Sequence, residues 1–518
     1  AQQTGAYMRQ CLADPLRCEG HPARSMPSSS SSDRYIASER SACTPNSRRR
    51  SIATQQPRSC RSYHRSVAPM RHSFALCLAL LMSGEVRCDK QVKGAVVVHR
   101  HGGRLPLYKT DVGEEGPSDL TMLGEVQLYQ LGAFLRRRYV DDFKILDTDY
   151  YARELRVRSS DYDRTLRSAD ALLNGLYPQE LSTRNISLLN GTQLQYVHTH
   201  VPIHTVPSSQ DPLLRGWTLC PTHVEALRKF YGSQEFQDKE FFTGDLRRRV
   251  TERQGLPQDV ADLSNWYNVY DDVVYTHTYA DDHHPARVGR FDRLNATDLK
   301  QVWRLANWLE LHKYDRDRVG AFGGGLLAED LTQILIGNTQ GDVSVPRVQI
   351  YSAHYGTMLS LASALGLEVS EVPPYGSAFL FEIVEITNDD AVVSGRRWEV
   401  NTTYVRRNYD PSSGFGTQEE VLPLPFTPGT PSSPHPCYTD ESGASVSASV
   451  CPLADWQRAV DLSAPVKTED DWCKACRSPD VEEADVSAVC MMRATGESSV
   501  EARSALLNWD GDGEAPGV

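Results

Sequence analysis

The sequence predicts an α/β fold, in which short buried strands end in polar loops and amphipathic helices follow. Val96-Val97-Val98 and Val348-Gln349-Ile350-Tyr351 are short runs of the composition that forms buried strands. Each run stops at a polar segment that contains histidine. Open α/β sheets hold their ligands at the ends of such strands. A functional site is therefore expected where these two strands end.

The loop after the first strand, residues 99–106, reads His-Arg-His-Gly-Gly-Arg-Leu-Pro. Its two arginines, Arg100 and Arg104, are close enough to bind one anion with several oxygens, and phosphate fits best. His101 lies between them and would face the phosphorus atom. The pattern indicates a site for nucleophilic attack on a phosphate.

Two further segments carry polar residues. Asp161-Tyr162-Asp163-Arg164-Thr165 precedes an apolar helical stripe, and Ser352-Ala353-His354-Tyr355 follows the second strand. Asp161 and Asp163 allow a catalytic carboxylate pair. The favoured interpretation is that they orient the neighbouring loops and the helix N-terminus.

These motifs, taken in order, resemble the histidine acid phosphatases of the lysosomal and prostatic type, in branch 2 of the histidine phosphatase superfamily. The matching patterns are Arg-His-Gly-x-Arg-x-Pro at 100–106, Arg-Ser-Ser-Asp-x-Asp-Arg-Thr-Leu-x-Ser-Ala at 158–169 and Ser-Ala-His at 352–354. The resemblance runs from about Gly94 to Cys476. It implies a mainly parallel sheet with flanking helices, a phosphoglycerate-mutase-like core, and a helical cap at about 210–330 inside a domain at 91–476.

The resemblance also implies a mechanism. His101 would attack phosphorus and form a phosphohistidine, while the phosphoryl oxygens would be held by Arg100, Arg104, Arg164 and His354. In the family an aspartate follows the distal histidine and protonates the leaving oxygen, but here Tyr355 occupies that position. A tyrosine, with an ordinary pKa near 10, is a poor replacement for that acid.

Three functions remain open. The favoured one is an acid phosphatase that acts on small phosphate monoesters with unusual or weakened proton transfer. The second is a secreted pseudophosphatase that binds phosphorylated ligands without efficient turnover, and the third is a phytase-like inositol-phosphate phosphatase. No cofactor or metal is expected. The net charge of −12 and the pI near 5.7 argue against a nucleic-acid partner, and the resemblance allows a homodimer.

The N-terminal region predicts targeting segments. Residues 1–69 are Arg- and Ser-rich and are expected to be a disordered leader or an upstream extension, with a transit peptide or a polyanion-binding arm as alternatives. Residues 70–84 have the charged start, apolar centre and small-residue exit of a signal peptide, and the alternative is a buried helix. We therefore expect secretion or delivery to a lysosomal or vacuolar lumen. The absence of an apolar run of 18 residues argues against a membrane anchor.

Sequons and cysteines support the same compartment. Glycosylation is expected at the sequons of Asn185, Asn190, Asn295 and Asn401. The resemblance implies disulfides Cys220–Cys476 and Cys437–Cys451, and it leaves Cys88, Cys473 and Cys490 unassigned. Residues 477–518 are expected to form a loose acidic tail.

Overall fold

The computed structural model describes residues 88–106, 118–178, 183–197, 200–278, 294–315, 320–388, 396–410, 414–430, 433–438, 449–464, 466–477 and 490. The expected leader, the expected signal peptide and most of the expected tail lie outside these residues.

The described helices flank a central sheet. In chain order they are α1 (Met122–Arg136, continued by a π-helical turn Arg137–Asp142), α2 (Asp163–Leu176), α3 (Pro212–Leu219), α4 (Pro221–Tyr231), α5 (Gln234–Gln254), α6 (Trp266–Thr278), α7 (Ala296–Lys313), α8 (Gly320–Gln340), α9 (Tyr355–Leu365), α10 (Leu453–Ser463) and α11 (Glu469–Cys476). Short 3₁₀ turns occupy Ser208–Gln210, Gln258–Ala261, Leu263–Asn265 and Pro436–Tyr438.

The described strands form one large sheet and two small ones. They are β1 (Cys88–Arg100), β2 (Leu155–Ser159), β3 (Thr183–Ser187), β4 (Gln193–Val197), β5 (Ile203–His204), β6 (Val348–Ala353), β7 (Ala378–Asn388), β8 (Arg397–Asp410), β9 (Gly414–Pro423), β10 (Gly429–Thr430), β11 (Ser433–Pro434) and β12 (Val450–Pro452). The large sheet has the order β12-β8-β7-β1-β6-β2-β5, and β9 also pairs with β8. The α/β class with flanking helices is confirmed.

The large sheet is mixed, and its parallel half carries the predicted motifs. β1, β6, β2 and β5 pair in parallel, whereas the pairs that involve β7, β8, β9 and β12 are antiparallel. The antiparallel half was not foreseen from the sequence. Because β1 and β6 run in the same direction, with Arg100 opposite Ala353, their carboxyl ends lie side by side.

The predicted valine strand is buried on both faces. Val96 and Val98 pack in one apolar cluster with residues of α8 and α9, while Val97 packs in another with residues of α1 and α2. A strand covered by helices on both sides can be apolar at every position. This explains why the segment is a continuous apolar run.

Helices α4 to α7 form the cap, which has its own aromatic core. Trp266, Leu305 and Leu309 are among its buried residues, and Tyr355 and Tyr375 from the sheet domain join the same cluster. The cap is thus continuous with the region where the strands end. Helix α3, which lies within the range predicted for the cap, and helix α8, which begins within it, also pack on the sheet through Leu214 and Leu331.

Disulfides close the C-terminal part of the domain. The structure forms the two implied bonds, Cys220–Cys476 and Cys437–Cys451, and adds Cys473–Cys490. The third bond ties a residue of the expected tail to α11. It also assigns two of the three cysteines that the sequence left open, and only the backbone of Cys88 is described.

Candidate active site

Three neighbouring parallel strands deliver the central residues of the site. His101 follows β1, His354 follows β6 and Ser160 follows β2. Backbone hydrogen bonds extend the strand pairing by one residue, since His101 N donates to Ala353 O at 2.9 Å and Ser160 N donates to Ser352 O at 3.0 Å. The register of the sheet therefore brings together histidines that are far apart in the sequence.

The loop after β1 is held tightly against α1 and α2. Gly102 N donates to Ser168 Oγ at 3.1 Å, and Gly103 N donates to Gln127 Oε1 at 2.9 Å. A Cβ at position 102 would lie 2.2 Å from the carbonyl oxygen of Gly124 in the first turn of α1. Glycine is required here because the two backbones approach too closely for a side chain.

His101 is buried and has a defined hydrogen-bonding state. Its Nδ1 lies 2.8 Å from Gly102 O, and a carbonyl oxygen can only accept, so Nδ1 carries the proton. Nε2 of the neutral ring then keeps its lone pair. Burial lowers the pKa of His101 well below its ordinary value, and the charges of Arg164 and Arg100 lower it further. Both effects favour the neutral form of the ring.

Arg100 is fixed by the cap and by a loop before β7. Its Nη1 donates to Pro373 O at 2.8 Å and its Nη2 donates to the Tyr267 hydroxyl of α6 at 2.7 Å. The guanidinium carbon lies 3.7 Å from the ring centroid of Tyr375, a cation–π contact. Tyr375 in turn lies 5.4 Å from His101, ring centroid to ring centroid.

Arg104 forms a buried ion pair with the cap. Its Nη1 lies 2.8 Å from Asp271 Oδ2 on α6, and both side chains are about 3 % exposed. Asp271 also accepts a hydrogen bond from the Tyr375 hydroxyl. The cap thus supplies the carboxylate that neutralises one arginine of the loop.

Arg164 and His354 complete the set of predicted residues. Arg164 lies in the first turn of α2, where its Nη1 donates to Ser118 Oγ at 3.1 Å. The His354 ring lies 5.5 Å from that of His101, centroid to centroid, and its Nε2 is 2.9 Å from Ser160 Oγ. Burial lowers the pKa of His354, and the charge of Arg164 has the next largest effect.

Tyr355 is turned toward the cap. Its hydroxyl donates to Glu310 Oε2 of α7 at 3.0 Å, and its ring stacks on Tyr267 at 4.5 Å. The Glu310 side chain is fully buried and also lies 3.2 Å from Lys313 Nζ. The proton of this phenol is therefore directed at a paired carboxylate.

Several residues that shape the site were missed from the sequence. Tyr267 and Asp271 come from α6, where two adjacent acids interrupt an otherwise apolar stretch, and that interruption was the available signal. Tyr375 and Glu310 had no comparable signal. Arg215 was also missed, and its charge acts on His354. Asp161 and Asp163 are both exposed, and Asp163 lies in the first turn of α2.

The expected glycosylation residues differ in setting. Asn190 is exposed in the turn between β3 and β4, and Asn295 is exposed at the N-cap of α7, where it accepts hydrogen bonds from two backbone amides. Asn401 is half-buried within β8, paired with both β7 and β12. Asn185 lies on β3, and its side chain is outside the described part of the chain.

The family model "Histidine phosphatase superfamily (branch 2)" matches residues 108–409, which is more than half of the chain. The chain belongs to this family. The match begins just after the loop that carries His101, so the assignment of that loop rests on its own motif and geometry. It includes the segments of Arg164 and His354.

Curated relatives of this histidine phosphatase are named acid phosphatases. Lysosomal acid phosphatase of Homo sapiens is 28% identical over 396 residues, which cover 73% of this chain and 83% of the relative. Prostatic acid phosphatase of Homo sapiens is 31% identical over 303 residues, which cover 57% of this chain and 74% of the relative. The family predicted from the motifs is confirmed.

Solved structures agree on the fold. The phytase of Klebsiella sp. ASR1 superposes with a TM-score of 0.50 at 14% identity, covering 74% of this chain and 98% of the phytase. The phytase of Citrobacter braakii gives the same TM-score and identity, with 74% and 99% covered. At this identity the likeness concerns the fold alone.

Proposed function

We propose that this histidine phosphatase hydrolyses small phosphate monoesters through a phosphohistidine on His101. The observation that carries the proposal is the state of that side chain. It is buried, which favours the neutral ring, and Nδ1–H is donated to Gly102 O, so that Nε2 is left as the nucleophile.

The surrounding cations fit a phosphoryl group. The guanidinium groups of Arg100 and Arg104 come from the loop that carries His101, and that of Arg164 comes from the N-terminus of α2, where backbone amides also favour anions. As Nε2 attacks, these groups would hold the phosphoryl oxygens and stabilise the charge of the transition state. The bond from phosphorus to the ester oxygen then breaks, and water later cleaves the phosphorus–nitrogen bond.

Protonation of the leaving oxygen is the weak step in this proposal. The Tyr355 hydroxyl donates to Glu310, which also pairs with Lys313, so its proton is already engaged by a carboxylate. General acid catalysis contributes about 10²–10⁴-fold where a competent acid is present. The enzyme should therefore favour esters with leaving groups that depart without a proton.

We further propose an oxidising compartment in the secretory or lysosomal route. Three disulfides among the described cysteines are typical of such compartments. The curated relatives named above are lysosomal and prostatic acid phosphatases. The helices of the described ranges include none with the length and apolar character of a membrane span.

The test compares hydrolysis of 4-nitrophenyl phosphate and glycerol phosphate at about pH 5. The blank is His101→Ala, and the matched control is His204→Ala, which changes an exposed histidine of β5. We expect hydrolysis of the aryl ester that disappears in His101→Ala and persists in His204→Ala. The orientation of Tyr355 also favours a second function, binding without turnover. Wild-type protein that binds phosphate but hydrolyses neither ester above the blank would support that second function and refute the first.

A further inference from the structure

Arg215 lies beside the phosphate site but outside the set of arginines that the motifs predicted. It interrupts α3 with non-helical backbone angles (φ −128°, ψ 20°), and its side chain is buried. Its Nε donates to Thr218 Oγ1 at 3.2 Å, which fixes the stem of the side chain. The guanidinium is therefore held in a defined position and is not a solvated surface charge.

Two aromatic rings connect Arg215 to the site. Its guanidinium carbon lies 4.7 Å from the ring centroid of Tyr162 and 5.8 Å from that of Trp217. The same Tyr162 ring has the guanidinium carbon of Arg164 at 4.4 Å. Tyr162 and Trp217 both meet the ring of His354 edge to face, at 5.4 and 6.4 Å between centroids.

The charge of Arg215 also acts at the site. Burial lowers the pKa of His354, and the largest effects after burial come from Arg164 and then Arg215. Arg104 and Arg100 have smaller effects. The charge of Arg215 thus lowers the pKa of His354 more than the charge of Arg104 or Arg100 does.

One phosphoryl group does not account for a fourth arginine. Under the proposed function, its three nonbridging oxygens would be held by Arg100, Arg104, Arg164 and His354. We infer that Arg215 binds a second anionic group, a carboxylate or a phosphate, carried by the leaving group of the substrate. This inference rests on the proposed phosphatase function and specifies its substrate class.

The experiment uses aryl esters, because their aryloxide leaving groups depart with little help from an acid. It compares kcat/KM for phenyl phosphate, for phenyl phosphate with a carboxylate in the meta position, and for the analogue with a trimethylammonium group there. We expect the wild-type kcat/KM to be about tenfold higher for the carboxylate ester than for phenyl phosphate, because KM is lower, and to be lowest for the cationic ester.

Variants assign that preference to one side chain. Arg215→Gln should remove most of the preference, and Arg215→Lys should keep part of it because the charge remains. The matched control Arg228→Gln, an exposed arginine that pairs with Glu225 on α4, should leave the preference unchanged. Equal kcat/KM for all three esters in the wild type, or a preference that survives in Arg215→Gln, would overturn the inference.

A binding measurement separates this inference from the proposed function. Calorimetry with phenylphosphonate and its meta-carboxyl derivative reports affinity without hydrolysis. If the wild type hydrolyses no ester but binds the carboxyl compound more tightly, and Arg215→Gln does not, the proposed function fails and the inference stands. If the esters are hydrolysed and the two phosphonates bind equally, the inference fails and the proposed function stands.

Discussion

Replacing Tyr355 with phenylalanine removes one hydroxyl from the interior and keeps the ring that stacks on Tyr267. The hydroxyl donates to Glu310, a buried carboxylate that also pairs with Lys313. A hydrogen bond to a charged group contributes about 1.5–3 kcal/mol. We expect Tyr355→Phe to lower the free energy of unfolding by about that amount, measured by chemical denaturation at neutral pH.

The effect on catalysis should be much smaller. If the phenol proton is committed to Glu310, Tyr355 contributes little to the departure of the leaving group. Wild-type protein should then favour 4-nitrophenyl phosphate over glycerol phosphate by about 10²–10⁴-fold in kcat/KM, the usual contribution of a general acid. Tyr355→Phe should change this ratio by less than about threefold.

The opposite result is equally clear. A loss of glycerol phosphate hydrolysis by 10²-fold or more in Tyr355→Phe, with the aryl ester retained, would identify the tyrosine as the acid and refute this reasoning. The control is Tyr177→Phe at the end of α2, where the buried hydroxyl has no hydrogen-bond partner in the described structure. Its stability and its ratio should both match the wild type closely.

Three further predictions follow from the site and the strand that leads to it. Arg164→Gln should lower kcat/KM for 4-nitrophenyl phosphate by about 10²-fold. The loss should be larger at pH 5 than at pH 7, because removing the charge of Arg164 raises the pKa of His101 and a protonated His101 cannot attack. The control is Arg167→Gln, which changes an exposed arginine on the same helix. Gly102→Ala should lower the free energy of unfolding by about 1–3 kcal/mol, because its Cβ would clash with the carbonyl oxygen of Gly124 in α1. The control is Gly244→Ala on α5, where a Cβ meets no other atom, and this variant should raise the free energy of unfolding by up to about 1 kcal/mol. Burial lowers the pKa of His99 to about 4, so the unfolded chain takes up this proton near pH 6.5 and the folded chain does not. Stability should therefore fall between pH 6.5 and 4, by about 3 kcal/mol from this residue, and denaturation of His99→Gln at several pH values should show a shallower decline.

The part of the site that the sequence predicted is the part built by strand ends. His101 and His354 each follow a recognisable apolar run, and parallel pairing aligns the carboxyl ends of such runs. Arg164 was assigned through the resemblance of residues 158–169 to the family motif, and it lies in the first turn of the helix that follows β2. For the two histidines a local pattern and one rule of sheet geometry suffice.

The cap contributes the contacts to the site arginines that could not be predicted from the sequence. Tyr267 reaches Arg100 and Asp271 reaches Arg104, each across 167 positions of the chain. Such contacts depend on how α6 packs over the sheet, and periodicity describes only which face of a helix is apolar. The antiparallel half of the sheet was missed for a similar reason, because strand composition does not specify the direction of pairing.

Tyr355 illustrates why the effect of a substitution at a motif position can be interpreted only together with the residues that contact it in the structure. In the sequence it is an aspartate replaced by a weak acid. In the structure it is one member of a buried set with Glu310 and Lys313 that joins the start of α9 to the cap. Restoring an aspartate there would remove a stacked aromatic ring and place a second carboxylate toward Glu310, and two close carboxylates resist being ionised together. The local position and the cap residue are therefore coupled, and the proton affinity of an aspartate at position 355 would depend on the charge of Glu310.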